Sequence, residues 1–261
     1  MAALAGMLKE RGYLVTGSDQ NVYPPMSDFL AASGIPVREG YRPEHLSPRP
    51  DLVVVGNVIR AVNPEAVAMV ELSIPYLSMP QALGHFFLRD HVSLVVAGTH
   101  GKTTTSSLLA SALHHTGQAP GFMIGGIVQE FQRNFALGEG RYFVVEGDEY
   151  DTAFFDKGSK FLHYRPDFAI ITSVEFDHAD IFADLEVIKT AFRRFAGLVP
   201  ASGAILACGD DPVVREIVDQ AACPVDYYGA GPDCRWQVSD FRPQGLSSTF
   251  TIHDRGVLIG E

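Results

Sequence analysis

The stretch Gly98-Thr99-His100-Gly101-Lys102-Thr103-Thr104 holds the residue types that grip a polyphosphate. Glycines let a backbone curl so that several amides face one anion. A helix starting there adds about half a positive charge. Lys102 is long enough to reach between phosphate groups, and a hydroxyl such as Thr103 is a Mg²⁺ ligand in loops of this type. The apolar run 92–96 (VSLVV) precedes the loop and reads as a buried strand. A helical pattern follows, with Leu108, Leu109, Ala112 and Leu113 as its predicted inner face and Gly117 as its stop. The long form of such a loop, G-x-x-x-x-G-K-[ST], needs a glycine where this chain has Val96, so the loop is the shorter G-T-x-G-K-T.

Two further clusters follow predicted strands, and the C-terminal ends of strands are where open α/β sheets hold ligands. Residues 144–151 (VVEGDEYD) place Glu146 directly after the apolar run 142–145, with Asp148, Glu149 and Asp151 close behind. Carboxylate oxygens suit a hard cation that keeps several waters; a solvated acidic turn has the same composition. Residues 172–182 (TSVEFDHADIF) follow the run 168–171 and gather Glu175, Asp177, His178 and Asp180. A hydrogen-bonded structural histidine is the alternative to a ligand there.

These loops need a scaffold, and the rest of the chain predicts one. With 261 residues and 46% apolar content, the length suits roughly two domains. Apolar runs alternate with helical patterns, which predicts an α/β fold with parallel sheets. In the first part, residues 13–16 (YLVT) and 52–55 (LVVV) read as buried strands, 75–77 as a short one, and 1–10, 27–33 and 64–72 as helices. A dinucleotide-type fold would place a strand and a glycine-rich turn before the helix at 1–10, so the expected N-terminal unit is Rossmann-like with its first strand missing. The division expected is residues 1–88 and residues 89–261. In the second part, strands are expected at 92–96, 142–145, 168–171, 204–207 and 225–228. A helix at 185–198 would face inward through Val187, Ile188, Ala191, Phe192, Phe195 and Leu198, and residues 248–259 read as a hairpin around Asp254-Arg255-Gly256.

Twenty basic against 31 acidic residues give a formal charge of −11. That argues against nucleic acid as a partner, because such binding draws on counterion release by Lys and Arg. A polyphosphate must instead be held by local amides, one lysine and metal. Cys208, Cys223 and Cys234 lie far apart without metal-site spacing, as expected of incidental thiols in a reducing cytoplasm. No run approaches the ~20 apolar residues of a membrane span, and no signal peptide is expected.

In this order and at these separations, the three motifs resemble the Mur ligase family: G-T-x-G-K-T-[ST], a strand ending in Glu, and a loop ending in Asp-His. Within it, residues 15–27 (VTGSDQNVYPPMS), 146–164 (EGDEYDTAFFDKGSKFLHY) and 175–182 (EFDHADIF) look most like the members that attach recycled murein tripeptide to UDP-N-acetylmuramate. The resemblance implies a P-loop-type central domain and a C–N bond-forming, ATP- and Mg²⁺-dependent ligase of peptidoglycan recycling. Its partners would be UDP-N-acetylmuramate and L-Ala-γ-D-Glu-meso-diaminopimelate. Lys102, Glu146 and His178 would be catalytic, and Gly98, Thr99, His100, Gly101, Lys102, Thr103 and Thr104 would cradle ATP. Thr103, Glu146 and His178 would ligate metal, and Ser18, Asp19, Asn57 and Asn63 would border the UDP-sugar pocket.

Some relatives carry a carbamoylated lysine after the Asp-His loop; this chain has Arg193 and Arg194 nearby and Lys189 somewhat early. The family's C-terminal domain, with its adenine and acceptor contacts, is expected beyond Glu261, which implies that the chain alone is inactive. Alternatives are the sister activity that uses free L-alanine, a nucleotide-driven switch, and a UDP-sugar-binding module.

Overall fold

The computed structural model describes residues 1–176, 184–245 and 247–260. The first part contains α1 (Ala2–Glu10), β1 (Gly17–Asp19), α2 (Met26–Ala32), β2 (Val37–Glu39), β3 (Val53–Val55), α3 (Pro64–Glu71), β4 (Tyr76–Ser78) and α4 (Met79–Leu83). Each helix between paired strands makes a right-length crossover, so β1 pairs parallel with β2 around α2, and β3 parallel with β4 around α3. Asn63 starts α3 by accepting the amides of Glu65 and Ala66, and Pro64 takes the first helical position.

The second part supplies β5 (Val92–Ala97), α5 (Lys102–His115), β6 (Gly121–Val128), β7 (Arg133–Ala136), β8 (Tyr142–Gly147), β9 (Asp151–Ala153), β10 (Asp156–Ser159) and β11 (Phe168–Ile171). It continues with α6 (Leu185–Ala196), β12 (Ala204–Cys208), α7 (Pro212–Val218), β13 (Val225–Gly229), β14 (Trp236–Gln244), β15 (Ser247–Asp254) and β16 (Val257–Gly260). Ten strands form one sheet in the order β16-β15-β14-β13-β12-β11-β5-β8-β6-β7. The stretch from β14 to β6 is parallel, with antiparallel partners at both ends. The α/β class read from the alternation is therefore the fold observed. β5 lies inside the parallel block, and its residues Val95, Val96 and Ala97 are buried, as a strand covered on both faces requires.

The largest core runs through both parts. Leu4 and Met7 of α1 and Leu83, Phe87 and Leu88 from the α4 region are buried with Phe143, Phe161, Phe192 and Phe195. A smaller core joins Val55, Met69 and Ile74 to Phe154 and Phe155, which sit in the tight turn between β9 and β10.

Several elements differ from expectation. Residues 13–16 are not a strand: Leu14 is 91% exposed, and the strand is the polar Gly17–Asp19 that follows. The β1–β2 ribbon has no further strand beside it among the described residues, so nothing there covers an apolar run. On α5, Leu109 and Leu113 pack on the core as expected, but the fully buried positions are Ser106 and Ala110, whose small side chains let the helix lie close to the sheet, and Leu108 is 67% exposed. On α6, Ile188, Phe192 and Phe195 are buried as expected, but Val187 faces outward, and Leu198 lies past the helix end at Ala196 and is exposed. The β6–β7 and β9–β10 hairpins and β14 carried no clear period and were not expected.

Asp211 ties this scaffold to the loop after β11. One carboxylate oxygen accepts the amides of Val213 (2.8 Å) and Val214 (3.2 Å) at the start of α7, and the other accepts Val174 N at 2.9 Å. Asp211→Ala removes a helix cap and strands the Val174 amide, a loss of about 1–2 kcal/mol. Thermal unfolding should show a melting temperature lower by about 2–8 °C; an unchanged midpoint would refute this account of the loop's anchorage.

Candidate functional site

Sheet order brings the motifs together. β5 has β8 on one side and β11 on the other, so the loop after β5, Glu146 near the end of β8 and the segment after β11 emerge side by side. Val96 pairs directly with Glu146, which places that carboxylate one strand away from the phosphate loop.

Gly98 is where the loop leaves β5. Its φ is +146°, and a Cβ there would lie 2.0 Å from Thr172 Oγ1, so the position requires glycine for both conformation and space. Thr99 N donates to Ser173 O at 2.8 Å, and Thr172 Oγ1 donates to His100 O at 2.5 Å. Thr99 Oγ1 accepts Glu175 N at 3.0 Å, so this hydroxyl is committed to stitching two loops together. His100 pairs with Glu175 across 2.7 Å at the exposed rim. Gly101, with φ +78°, caps α5, and no side-chain hydrogen bond closes the helix start. The first-turn amides, including those of Lys102, Thr103 and Thr104, thus face outward as an anion cradle.

Lys102 folds back over this cradle. Its Nζ donates to Gly98 O (2.6 Å) and Thr99 O (3.1 Å) and pairs with Glu149 at 3.1 Å. The Glu149 side chain is only 4% exposed and that of Lys102 14%. Thr103 Oγ1 donates to Glu146 Oε1 at 3.0 Å, and Gly125 N donates to Glu146 Oε2 at 2.7 Å. A Cβ on Gly125 would sit 3.0 Å from that same carboxylate, so the bare backbone of β6 is what allows the approach.

The hydroxyl of Thr103 and the carboxylate of Glu146 therefore meet at the start of α5, one residue along the chain from Lys102. Two hard oxygen donors fit Mg²⁺, which takes water and phosphate oxygens for its other positions. Among the described residues no group of three or more His, Cys, Asp or Glu could hold a metal unaided. His178, with Asp177 and Asp180, lies outside the described residues.

The other expected site residues are spread over the N-terminal part. Ser18 donates to Glu65, whose other oxygen pairs with His45 Nδ1 at 2.6 Å and accepts Arg42 N at 3.1 Å. Asp19 accepts the Tyr41 hydroxyl at 3.4 Å, and burial, then Asp19, raise the Tyr41 pKa. Asn63 is spent on capping α3, while Asn57 is exposed. Lys189 sits between Glu186 and Glu216, 2.8 Å from each. These hydrogen bonds raise its pKa and hold it as an ammonium, the form that does not take up carbon dioxide.

Glu149, Gly125 and the Glu65–His45 pair were missed in the sequence. Glu149 was visible only as one of several carboxylates in an acidic turn. The Gly125-Gly126 pair was a usable signal, since glycine within a strand often marks close backbone approach.

Gly98→Ala should displace the phosphate loop, with about 1–3 kcal/mol of backbone strain added to the clash. Hydrogen exchange should then quicken at residues 98–104 and 172–175 while β12 and β13 keep their protection. Native exchange rates at those two loops would sink the argument.

Comparison with known proteins points the same way. The model described as "Mur ligase middle domain" matches residues 96–257, and that described as "Mur ligase family, catalytic domain" matches residues 1–91. The UDP-N-acetylmuramate–L-alanyl-γ-D-glutamyl-meso-2,6-diaminoheptandioate ligase of Escherichia coli is 50% identical over 91% of this chain and 52% of its own length. The UDP-N-acetylmuramate–L-alanine ligase of Polaromonas sp. is 37% identical over 98% of this chain and 53% of its own length. The chain thus spans about half the length of these curated relatives. The crystal structure of UDP-N-acetylmuramate:L-alanyl-γ-D-glutamyl-meso-diaminopimelate ligase from Neisseria meningitides superposes with a TM-score of 0.91 at 40% identity, covering 99% of this chain and 82% of that one. The two family models between them take in the phosphate loop, β8 with Glu146, β11 and the paired β-α-β units of the first part, and the chain belongs to the Mur ligase family.

Proposed function

We propose that this chain supplies the carboxylate-activating part of a cytoplasmic, ATP-dependent ligase. That ligase joins the lactyl carboxylate of UDP-N-acetylmuramate to the amine of L-Ala-γ-D-Glu-meso-diaminopimelate. Residues 1–88 serve the UDP-sugar and residues 89–261 the nucleotide. The observation that carries the reading is the convergence of Lys102 with the Thr103–Glu146 pair at the ends of β5 and β8.

A carboxylate does not acylate an amine at neutral pH, because oxide would have to leave. In the proposed reaction the lactyl carboxylate attacks the γ-phosphorus, the bond to the β-phosphate oxygen breaks and ADP departs. The peptide amine then attacks the acyl carbon of the acyl phosphate, its nitrogen gives up a proton to solvent, and inorganic phosphate leaves with the bonding pair. Amides of the α5 first turn hold the phosphates, and Lys102 neutralises charge that gathers on the transferring group. Thr103 and Glu146, with His178 by resemblance, would hold Mg²⁺, which when bound screens the carboxylate from the triphosphate. Ser18 and Asp19, near the end of β1, are candidate contacts for the UDP-sugar; Asn57 and Asn63 would border the same pocket by resemblance alone, Asn63 being engaged in capping α3.

The greater identity to the tripeptide-using relative favours tripeptide over free alanine. No helix of the described residues is long and apolar enough to cross a membrane.

Calorimetry on the chain should detect a non-hydrolysable ATP analogue with Mg²⁺. Lys102→Ala should weaken it by about 10- to 150-fold, the equivalent of a charge-assisted hydrogen bond. In the full-length protein the same change should abolish acyl-phosphate formation, and near-normal ADP release would overturn the assignment. Glu146→Gln should remove the gain in affinity that Mg²⁺ gives while leaving metal-free ADP binding intact; an undiminished Mg²⁺ effect would exclude Glu146 as a ligand. Turnover of the full-length protein with tripeptide should exceed that with L-alanine, and the reverse preference would assign the sister activity.

A further inference from the structure

The buried carboxylate of Glu149 has no part in the reaction as set out above, yet it faces the reactive lysine. An ammonium has three protons to donate. Around Lys102 Nζ they meet Gly98 O at 2.6 Å, Thr99 O at 3.1 Å and the two oxygens of Glu149 at 3.1 and 3.4 Å. Among the described residues Lys102 is the one hydrogen-bond partner of the Glu149 side chain. The partners of Lys102 are therefore of two kinds. The loop carbonyls are neutral and can be given up for phosphate oxygens. The carboxylate cannot, because losing the lysine would leave a buried anion uncompensated.

We propose that Glu149 is a positioning residue on which Lys102 pivots. When a triphosphate enters the cradle, the ammonium exchanges Gly98 O and Thr99 O for phosphate oxygens and keeps its contact with Glu149. The lysine thereby reaches the transferring phosphate from one fixed side. This rests on the nucleotide-binding reading above. The geometry has an electrostatic consequence that separates positioning from simple binding. Glu149 is itself an anion beside a polyanion, so its charge opposes nucleotide affinity while it orders the lysine that stabilises transfer.

Glu149→Gln in the full-length protein should therefore split the kinetic constants. We expect kcat to fall at least tenfold, while KM for ATP stays within threefold of the wild type or drops. Glu149→Asp, which keeps the charge on a shorter stem, should recover part of the lost kcat with KM still unraised. An unchanged kcat in Glu149→Gln, or a rise in KM alone, would overturn the proposal. A second measurement needs no substitution and covers the case in which the variants fold poorly. The Lys102 ammonium protons of the unmutated chain, followed by ¹H–¹⁵N correlation, should remain protected from exchange, with contacts to the Glu149 side chain, both without nucleotide and with the ATP analogue and Mg²⁺. Loss of those contacts on nucleotide addition would refute the pivot. A wild-type chain that binds no nucleotide at all would instead refute the reading beneath it, so the two failures are distinguishable.

Discussion

The register of β8 against β5 is the constraint on which the site depends. Val96 pairs with Glu146, and Ala97 with Gly147. Side chains alternate between the faces of a strand, so a slip of one residue would carry Glu146 to the opposite face of the sheet. Thr103 starts a helix that packs on one face only, and its hydroxyl reaches Glu146 because the present register puts both on that face. The buried run Phe143, Val144 and Val145 opposes such a slip, since moving by one residue would exchange its two packed faces, one toward the large core and one toward the core beneath α5. Hydrophobic packing of the three residues just before Glu146 thus sets the geometry of the polar pair.

The same logic explains why an aromatic hairpin follows the acidic turn. Asp148 and Glu149 follow directly on the end of β8, and the chain then needs an anchor to hold that turn. Phe154 and Phe155 provide one by packing on Val55, Met69 and Ile74 of the first part, with Tyr76 edge-on to Phe155 at 4.9 Å between ring centroids. Lys160 adds a 2.6 Å contact to Asp148 from the other end of the hairpin. The turn carrying the carboxylates is thereby clamped between the two parts of the chain. Residues read in the sequence as a family signature turn out to have a mechanical role.

What the sequence disclosed follows from which forces act locally. The phosphate loop was legible because glycine at positive φ, a helix start and a lysine are all demands of neighbouring residues on one another. The parallel strands were legible because a strand covered on both faces is a continuous apolar run, as at residues 92–97. The run 13–16 misled for the converse reason: its composition suits a covered strand, but coverage is a property of tertiary neighbours, and Leu14 has none. The inner face of α5 was half legible: Leu109 and Leu113 pack on the core of Ala110, Phe122 and Val144 as expected, but the fully buried positions are Ser106 and Ala110, and small residues weigh little in an apolar pattern. The partnership of Lys102 with Glu149 was hidden because the two are 47 positions apart and meet only through the pairing of β5 and β8.

Charge supply completes the picture. On the nucleotide-binding reading, a chain with formal charge −11 would bind a polyanion against its own average field, so every favourable contact would have to be local. The site meets this with neutral dipoles more than with cations. The α5 first-turn amides are open, Gly125 N holds one oxygen of Glu146 and the Thr103 hydroxyl holds the other. These donors keep the Glu146 carboxylate satisfied in one orientation while no cation is near. A divalent ion beside Thr103 would take the place of the hydroxyl proton at Oε1, leaving the Gly125 contact and the carboxylate's direction unchanged. On the proposed reading, Glu146 would need little rearrangement to exchange a hydrogen bond for a metal bond, and that would give a bare glycine backbone in β6, remote in sequence from every recognisable motif, a part in the chemistry of the loop.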